Sequence, residues 1–186
     1  MNTYQFELND EVLEARAQGT LWWPARRLLV VSDMLLGKAE RIARRRGPML
    51  PPYEIAETMA RLRLEVETVE PEVIVALGDS FDDLEAASVM PEAALADLMA
   101  MAAGRRWVWI TGNHDPGPVD LPGDHLGELR LGALVFRHIA ESGASGEVSG
   151  HYHPKARVGG RARAAFLLDS TRVILPAFGT YTGGLP

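Results

Sequence analysis

The residues best suited to chemistry in this sequence come shortly after apolar segments that are typical of buried strands. They are Asp33, Asp79 and the triplet Asn113-His114-Asp115. His138 follows another apolar run, and two further imidazoles stand two residues apart at His151 and His153. Because residues two apart in an extended segment point to the same side, His151 and His153 can face one site. Together these carboxylate, amide and imidazole groups form a candidate metal site.

Phosphate ester hydrolysis is the chemistry that such a set of groups suits. The reaction requires the charge of the phosphoryl oxygens to be neutralised and water to be activated near neutral pH. Two divalent cations about 3.5–4 Å apart can do both, with a carboxylate bridging them. Mixed carboxylate and imidazole ligands suit Mn, Fe, Zn or Ni better than Ca. We therefore expect two divalent ions, and the residues leave Mn, Fe, Zn and Ni open.

The pattern of apolar segments predicts an α/β fold that brings these groups together. Continuous apolar runs at 28–31, 73–77 and 107–110 suit strands buried on both faces. Helical regions are predicted between them, at about 55–69 and 84–101. The alternation implies parallel strands with right-handed crossovers, and a ligand site beyond their carboxyl ends.

Shorter strands are predicted on both sides of this unit. Alternating patterns at 3–9 and 11–16 are typical of half-buried strands. The later part of the chain indicates strands and turns without a helix, and its predicted strands cover 126–131, 133–136, 165–168 and 173–175. The chain has 186 residues and no recognisable linker, so we predict a single domain over 1–186.

The composition excludes several classes of protein. Hydrophobic residues make up 47% of the chain, which is too many for a disordered segment. The absence of cysteine excludes disulfide frameworks, thiolate zinc sites and a cysteine nucleophile. A net charge of −6 argues against a globally basic nucleic-acid coat. No apolar run approaches the about 20 residues that span a bilayer, so we expect a cytoplasmic protein without membrane contact.

A basic segment close to Asp33 is the candidate for substrate contact. Residues 38–46 contain five Lys or Arg and one Glu, a local net charge of 5 − 1 = +4. Lys38, Arg41 and Arg45 are the proposed substrate-binding residues of this segment. It can hold a phosphate backbone or form a solvated helix face, and the sequence leaves both interpretations open.

In their order, the motifs resemble the calcineurin-like metallophosphoesterase superfamily. The matching motifs are Asp33, Gly78-Asp79-Ser80-Phe81-Asp82, Gly112-Asn113-His114-Asp115, His138 and Gly150-His151-Tyr152-His153. Further segments are similar to the bacterial ligase-associated PdeM group, which is related to the SbcD-type repair nucleases. These segments are Gly37-Lys38, Leu50-Pro51-Pro52-Tyr53, His151-Tyr152-His153-Pro154-Lys155 and Leu175-Pro176-Ala177-Phe178-Gly179. The resemblance runs from about residue 28 to the C-terminus.

The resemblance implies a four-layer αββα sandwich and a specific role for each site residue. The implied ligand sets are Asp33 and His153 for one metal, Asn113, His138 and His151 for the other, and Asp79 bridging both. His114 would act as general acid or stabilise the phosphoryl transition state, and Asp115 would orient its ring. The nucleophile would be a metal-bound hydroxide.

One position departs from the superfamily pattern. The first motif of the superfamily is Asp-x-His, whereas this chain reads Asp33-Met34-Leu35. Leucine has no lone pair to offer, and even changes behind the ligands cost about 10–100-fold in affinity or activity. We therefore expect weaker metal binding at Asp33 than at His138, and reduced activity.

Three functions remain open at this point. The first is hydrolysis of phosphodiesters, for which the resemblance implies DNA or RNA as substrate and a ligase or helicase as repair partner. The second is a degenerate relative that binds one metal or a phosphate and acts as a non-catalytic partner in a repair complex, for which Leu35 is the main support. The third is hydrolysis of nucleotides or lipid-linked pyrophosphates. Turnover that depends on His114 would separate the first function from the second.

Overall fold

The first of two stacked sheets carries the predicted parallel strands. The computed structural model describes residues 2–38, 53–88, 90–117, 120–180 and 182. In chain order, the strands of this sheet are β1 (Thr3–Leu8), β2 (Glu11–Arg16), β3 (Leu21–Trp23), β4 (Leu28–Val31), β5 (Val73–Ala76), β6 (Arg106–Ile110) and β7 (Asp124–Leu126). Strands β1 to β4 pair antiparallel, and β4 to β7 pair parallel. The carboxyl ends of β4, β5 and β6 therefore meet at one edge.

The second sheet contains β8 (Glu128–Leu131), β9 (Leu134–Arg137), β10 (Glu147–Ser149), β13 (Leu167–Leu168) and β14 (Arg172–Ile174). Its order is β13-β14-β10-β9-β8. Strand β10 pairs parallel with both β9 and β14, so that their carboxyl ends also share an edge. Between β10 and β13 the chain forms a separate hairpin of β11 (Lys155–Val158) and β12 (Arg161–Ala164).

Three helices and a short 3₁₀ turn complete the described elements. They are α1 (Glu54–Val69), α2 (Leu84–Ser88), α3 (Glu92–Ala102) and the 3₁₀ turn Pro24–Arg26. Helix α1 buries Met59, Leu62 and Val66, which recur at helical spacing on one face. It ends at Glu70, which has a left-handed backbone and is followed by a proline that cannot continue the helix. None of the helices in the described ranges is long and apolar enough to cross a membrane.

Two hydrophobic cores separate the layers. Neighbouring residues of one strand face opposite sides: Ile74 packs under the helices, whereas Val75 packs between the two sheets. Phe136, Val148 and Val173 of the second sheet complete the core between the sheets. The predicted α/β sandwich is therefore confirmed. All three described helices pack on the outer face of the first sheet, and the described residues place no helix over the second sheet.

The predicted elements around the site are confirmed, and the differences lie in the strand-rich second half. The single strand expected over 126–131 is wrong, because Gly127 divides it between the two sheets. The strands β3, β10, β11 and β12 were not predicted. Three of these, β3 and the two hairpin strands, lie outside the parallel unit, and β10 has only three residues. Elements this short carry too few residues for a period-two pattern to stand out.

Candidate functional site

The site forms where the carboxyl ends of the two sheets meet. The groups that the strands deliver there are Asp33 after β4, Asp79 after β5, Asn113 after β6, His138 after β9 and His151 after β10. Main-chain hydrogen bonds fix this edge: the N–H of Gly150 donates to the carbonyl of His138 at 3.0 Å. The N–H of Phe178 donates to the carbonyl of Ser32 at 2.9 Å, which connects the second sheet to the first.

Three side chains converge as a candidate metal-binding group. One ligand atom each from Asp79, His138 and His151 lies within 4.8 Å of the other two. The Nε2 atom of His138 lies 3.3 Å from Oδ2 of Asp79 and 3.2 Å from Nδ1 of His151. It also lies 2.9 Å from Oδ1 of Asn113. Mixed oxygen and imidazole ligands at these separations fit a divalent transition metal ion.

The imidazole of His138 is oriented from behind by the main chain. Its Nδ1 lies 2.7 Å from the carbonyl oxygen of Leu77, so that Nδ1–H donates to that oxygen. In the neutral ring the lone pair is then on Nε2, the atom that faces Asp79. Metal-binding histidines in proteins use this arrangement to fix the tautomer and the direction of the lone pair.

Electrostatics prepare the group for a cation. Burial raises the pKa of Asp79, but hydrogen bonds with the His138 ring and the His114 N–H outweigh it, so that this pKa is lowered. Burial lowers the pKa of His138. The hydrogen bond with Asp79 and the negative charge of Asp79 raise this pKa by a larger amount, so that the net shift is upward. Burial and the neighbouring His138 lower the pKa of His151. The shifts favour the charged form of Asp79, the neutral form of His151 and the protonated form of His138, so that a metal ion has to displace the proton of His138.

A second pair of potential ligands lies beside this group. Nε2 of His153 lies 3.0 Å from Oδ1 of Asp33. The other oxygen of Asp33 accepts the N–H of His151 at 2.9 Å and the hydroxyl of Ser32. Leu35, at the position where the superfamily motif has histidine, is buried and offers no ligand atom. The donor set at Asp33 is thus poorer than the one at His138.

His114 lies at the border of the site with a defined ring direction. Its Nδ1 lies 2.9 Å from the carbonyl oxygen of Asp82, and its main-chain N–H donates to Oδ1 of Asp79 at 2.8 Å. The ring is therefore oriented by the Asp82 carbonyl. This corrects the expectation that Asp115 orients it.

Asp115 connects two loops of the site. Its carboxylate accepts main-chain N–H groups of Asp79 at 3.0 Å, Ser80 at 2.8 Å, Phe81 at 3.3 Å and Gly112 at 3.0 Å. Burial raises the pKa of Asp115, the charge of Asp79 adds to this rise, and the accepted N–H bonds only partly oppose it. Asp115 is thus a positioning residue that holds the loop after β5 against the loop after β6.

The backbone of the site adopts conformations that are costly for residues other than glycine. Positive φ angles occur at Asp33 (51°), Leu35 (48°), Asp79 (47°), His151 (69°) and His153 (46°). Such conformations cost about 1–3 kcal/mol each and cluster at functional sites. These five are the majority of the nine non-glycine residues with positive φ in the described residues. The chain tolerates this strain where it brings the ligands together.

Glycines before the ligands permit the close approach of the loops. A Cβ atom at Gly112 would lie 2.2 Å from both the N and the Oδ1 of Asp79. A Cβ atom at Gly150 would lie 1.8 Å from the Ser32 hydroxyl oxygen and 2.5 Å from Oδ2 of Asp33. Both contacts are too short for any side chain. These glycines are functional residues that our sequence reasoning treated only as parts of motifs.

The structure describes one of the three cationic residues that we predict to bind substrate. Lys38 is described and half-buried, and its main-chain N–H donates to the carbonyl of Leu35 at 3.3 Å. Arg41 and Arg45 lie outside the described residues, and their role stays a prediction. A cavity of about 260 Å³ opens beside Asn113 and His138, and its lining also includes Arg137, Glu128 and Glu141.

A solved structure with a similar fold is the crystal structure of nuclease MPE from Pseudomonas putida. The two superpose with a TM-score of 0.79 at 27% sequence identity, over 99% of this chain and 90% of that chain. This chain has the fold of that nuclease. No protein-family model and no curated protein matches the sequence. Together with the Asp79–His138–His151 group, the likeness supports the broad family expected from the motifs, while the PdeM grouping stays a prediction.

We expect the two metal positions to fill unequally. The group of Asp79, His138 and His151 should bind Mn²⁺ at least about 10-fold more tightly than the Asp33–His153 pair, because the pair lacks a ligand at Leu35. Equilibrium dialysis of Mn²⁺ against the metal-stripped protein measures both affinities.

Two variants assign these affinities to the two positions. His151→Ala should weaken the tighter binding step, and His153→Ala should weaken the other. His125→Ala, which changes a histidine outside the site, should leave both steps unchanged. Two equal affinities in the unaltered protein, or loss of the tighter step in His153→Ala, would contradict the assignment.

We expect Asp115→Asn to loosen the site without removing a ligand. An amide presents N–H donors where the carboxylate accepts main-chain N–H groups, so the free energy of unfolding should fall by about 2–4 kcal/mol. Metal affinity should fall by about 10–100-fold, because the loop that carries Asp79 is no longer held. Urea unfolding and Mn²⁺ titration measure the two effects. The matched control Asp97→Asn breaks only an exposed pair with Arg63 and should change stability by less than about 1 kcal/mol. Equal effects of the two variants would refute the role of Asp115.

Proposed function

We propose that this chain is a metal-dependent nuclease that hydrolyses phosphodiester bonds of nucleic acid. The observation that carries the proposal is the convergence of Asp79, His138 and His151, with His114 beside them, at the joint edge of two sheets. The likeness to the Pseudomonas putida nuclease supports nucleic acid as the substrate class. The PdeM grouping and the ligase or helicase partners are predictions from the sequence motifs alone.

We propose that the site holds two divalent ions of unequal affinity. Asp79, His138 and His151 would hold the first ion, with the Asn113 amide oxygen 2.9 Å from the His138 Nε2. Asp33 and His153 would hold the second beside Asp79. When bound, the ions would neutralise phosphoryl oxygens and lower the pKa of water, and manganese is our first candidate.

His114 is the proposed general acid. Its Nδ1–H donates to the Asp82 carbonyl, which holds the plane of the ring. The protonated ring keeps this bond and carries a second N–H at Nε2, which can pass a proton to the leaving oxygen of the ester. Asp115 supports the position of His114 indirectly. It holds the loop that carries Asp79, and the Asp79 carboxylate accepts the main-chain N–H of His114.

A second candidate function is binding without turnover. Leu35 favours it, because a buried leucine beside Asp33 leaves the second ion with fewer ligands. In that case the chain would bind one ion and a phosphate group, and His114 would have no effect on any reaction. Turnover therefore decides between the two functions.

We expect hydrolysis to depend on both the metal and His114. Metal-stripped protein should hydrolyse bis-p-nitrophenyl phosphate and single-stranded DNA at a rate that saturates with added Mn²⁺. His114→Ala should lower kcat by about 10²–10⁴-fold while Mn²⁺ affinity stays unchanged, because the ring is a proton donor and not a ligand. His125→Ala is the matched control and should retain the rate of the unaltered protein. No rate above that of His114→Ala at millimolar Mn²⁺ would favour binding without turnover.

We expect Leu35→His to strengthen the weaker metal position. The backbone at Leu35 already has a φ of 48°, a conformation in which histidine is several-fold enriched. An imidazole there adds a ligand atom next to Asp33, and the second Mn²⁺ should bind about 10-fold more tightly or better. The rate at low Mn²⁺ should rise accordingly. Leu35→Met keeps the apolar volume and should change neither quantity, and equal behaviour of the two variants would contradict the explanation.

A further inference from the structure

The hairpin of β11 and β12, residues 155–164, forms a two-stranded sheet separate from the two stacked sheets. Its residues are exposed apart from the half-buried Lys155, and none belongs to either hydrophobic core. Gly159 and Gly160 join the strands with φ angles of 58° and 77°. Two central residues with positive φ make the tight turn whose twist matches paired strands. We call this hairpin the arm, and its residues take no part in either hydrophobic core of the described structure.

The arm concentrates positive charge in an acidic chain. The chain has a net charge of −6, yet the arm contains four cationic residues and no acidic one, namely Lys155, Arg157, Arg161 and Arg163. In the strand register Arg157 lies opposite Ala162, and Arg163 lies opposite Ala156, so that both faces of the arm carry cations.

These arginines differ from others on the surface. Arg63 pairs with Asp97 at 3.1 Å and Arg106 pairs with Asp124 at 2.7 Å. Over the described residues, the structure records no ion pair for any of the three arginines of the arm. An isolated two-stranded hairpin is marginally stable. The two cations on each face of the arm stand two residues apart along one strand, where their like charges repel one another. A polyanion would relieve this repulsion.

The base of the arm is attached to the candidate metal centre. Lys155 comes two residues after His153, whose Nε2 contacts Asp33 at 3.0 Å. The N–H of Ala165 donates to the carbonyl of Pro154 at 3.0 Å and closes the base. A strand of this length extends about 13 Å at about 3.3 Å per residue. That length matches about four nucleotides of a stacked strand at about 3.4 Å each.

We propose that this basic arm, residues 155–164, holds the phosphate backbone of a nucleic-acid strand whose scissile phosphate lies at the metal centre. The inference rests on the proposed function, because it takes the metal centre as the place of cleavage. Contacts to phosphates position a strand without reading its sequence. The arm therefore contributes affinity that is independent of base sequence and sensitive to salt.

The test compares two triple variants that remove the same charge. The arm variant is Arg157→Gln/Arg161→Gln/Arg163→Gln, and the control is Arg63→Gln/Arg106→Gln/Arg130→Gln. Both are made in the His114→Ala background with Mn²⁺, so that fluorescein-labelled oligo-dT stays intact. Fluorescence anisotropy at several salt concentrations gives the affinity and its salt dependence.

The arm variant should bind the oligonucleotide about 10-fold more weakly or worse at 0.1 M salt, because each phosphate contact contributes about 0.7 to the slope of log K against log salt. Arg161 and Arg163 share one face and Arg157 lies on the other, so a strand that follows one face loses one or two contacts and the slope should flatten by about 0.7–1.4. The control should stay within about twofold of its parent. Equal affinity and equal slope for the arm variant and the control would overturn the inference, and the charges would then serve to keep the exposed strand edges from pairing.

Hydrolysis separates this inference from the proposed function. This test uses proteins that retain His114. The ratio of kcat/KM on the oligonucleotide to kcat/KM on bis-p-nitrophenyl phosphate should fall in the arm variant and not in the control. If the unaltered protein cleaves neither substrate while the arm variant still loses DNA affinity, the proposed function fails, and only the phosphate-binding role of the arm stands. Arg161→Gln/Arg163→Gln leaves β11 unchanged and provides the same comparison if the triple variant disturbs the metal centre.

Discussion

The contact between Asp79 and His138 is the interaction on which the site depends. Asp79 follows a strand of the first sheet and His138 follows a strand of the second, and their ligand atoms lie 3.3 Å apart. Both side chains are buried, so each needs the other or a cation to compensate the loss of water. Stacking of the two sheets creates the metal-binding group, because neither sheet contains it alone. The structure thus links the hydrophobic core between the sheets directly to the chemistry at their edge.

The main chain supports this contact from several sides. The Leu77 carbonyl fixes the His138 tautomer, the Asp82 carbonyl fixes the His114 ring, and Asp115 binds the N–H groups of two loops. Glycines at 112 and 150 allow the loops to approach where any side chain would collide with Asp79 or Asp33. The positive φ angles of the ligands are part of the same arrangement. The ligands are thus held in place by a locally strained backbone, and the packing of the whole sandwich compensates the cost of this strain.

Much of the fold and site followed from the sequence because the signal was local. The apolar runs at 28–31, 73–77 and 107–110 predicted the parallel strands, and the polar residues after them do meet at one edge. The contribution of the second sheet was predictable only as far as residue type, spacing and a resemblance brought His138, His151 and His153 into the candidate site. The partner that orients His114 was mispredicted, because a main-chain carbonyl leaves no mark on the sequence. The basic arm was missed because its four-residue strands, rich in alanine and arginine, have no buried face to reveal them.

The central claim is that a divalent ion is held by Asp79, His138 and His151. Anomalous diffraction from crystals soaked in Mn²⁺ tests it most directly, because the signal locates the ion without any assumption about activity. The account predicts a strong peak within coordination distance of all three side chains, and a weaker peak beside Asp33 and His153. A map with no peak at the three residues, or with its strongest peak elsewhere on the chain, would contradict the account.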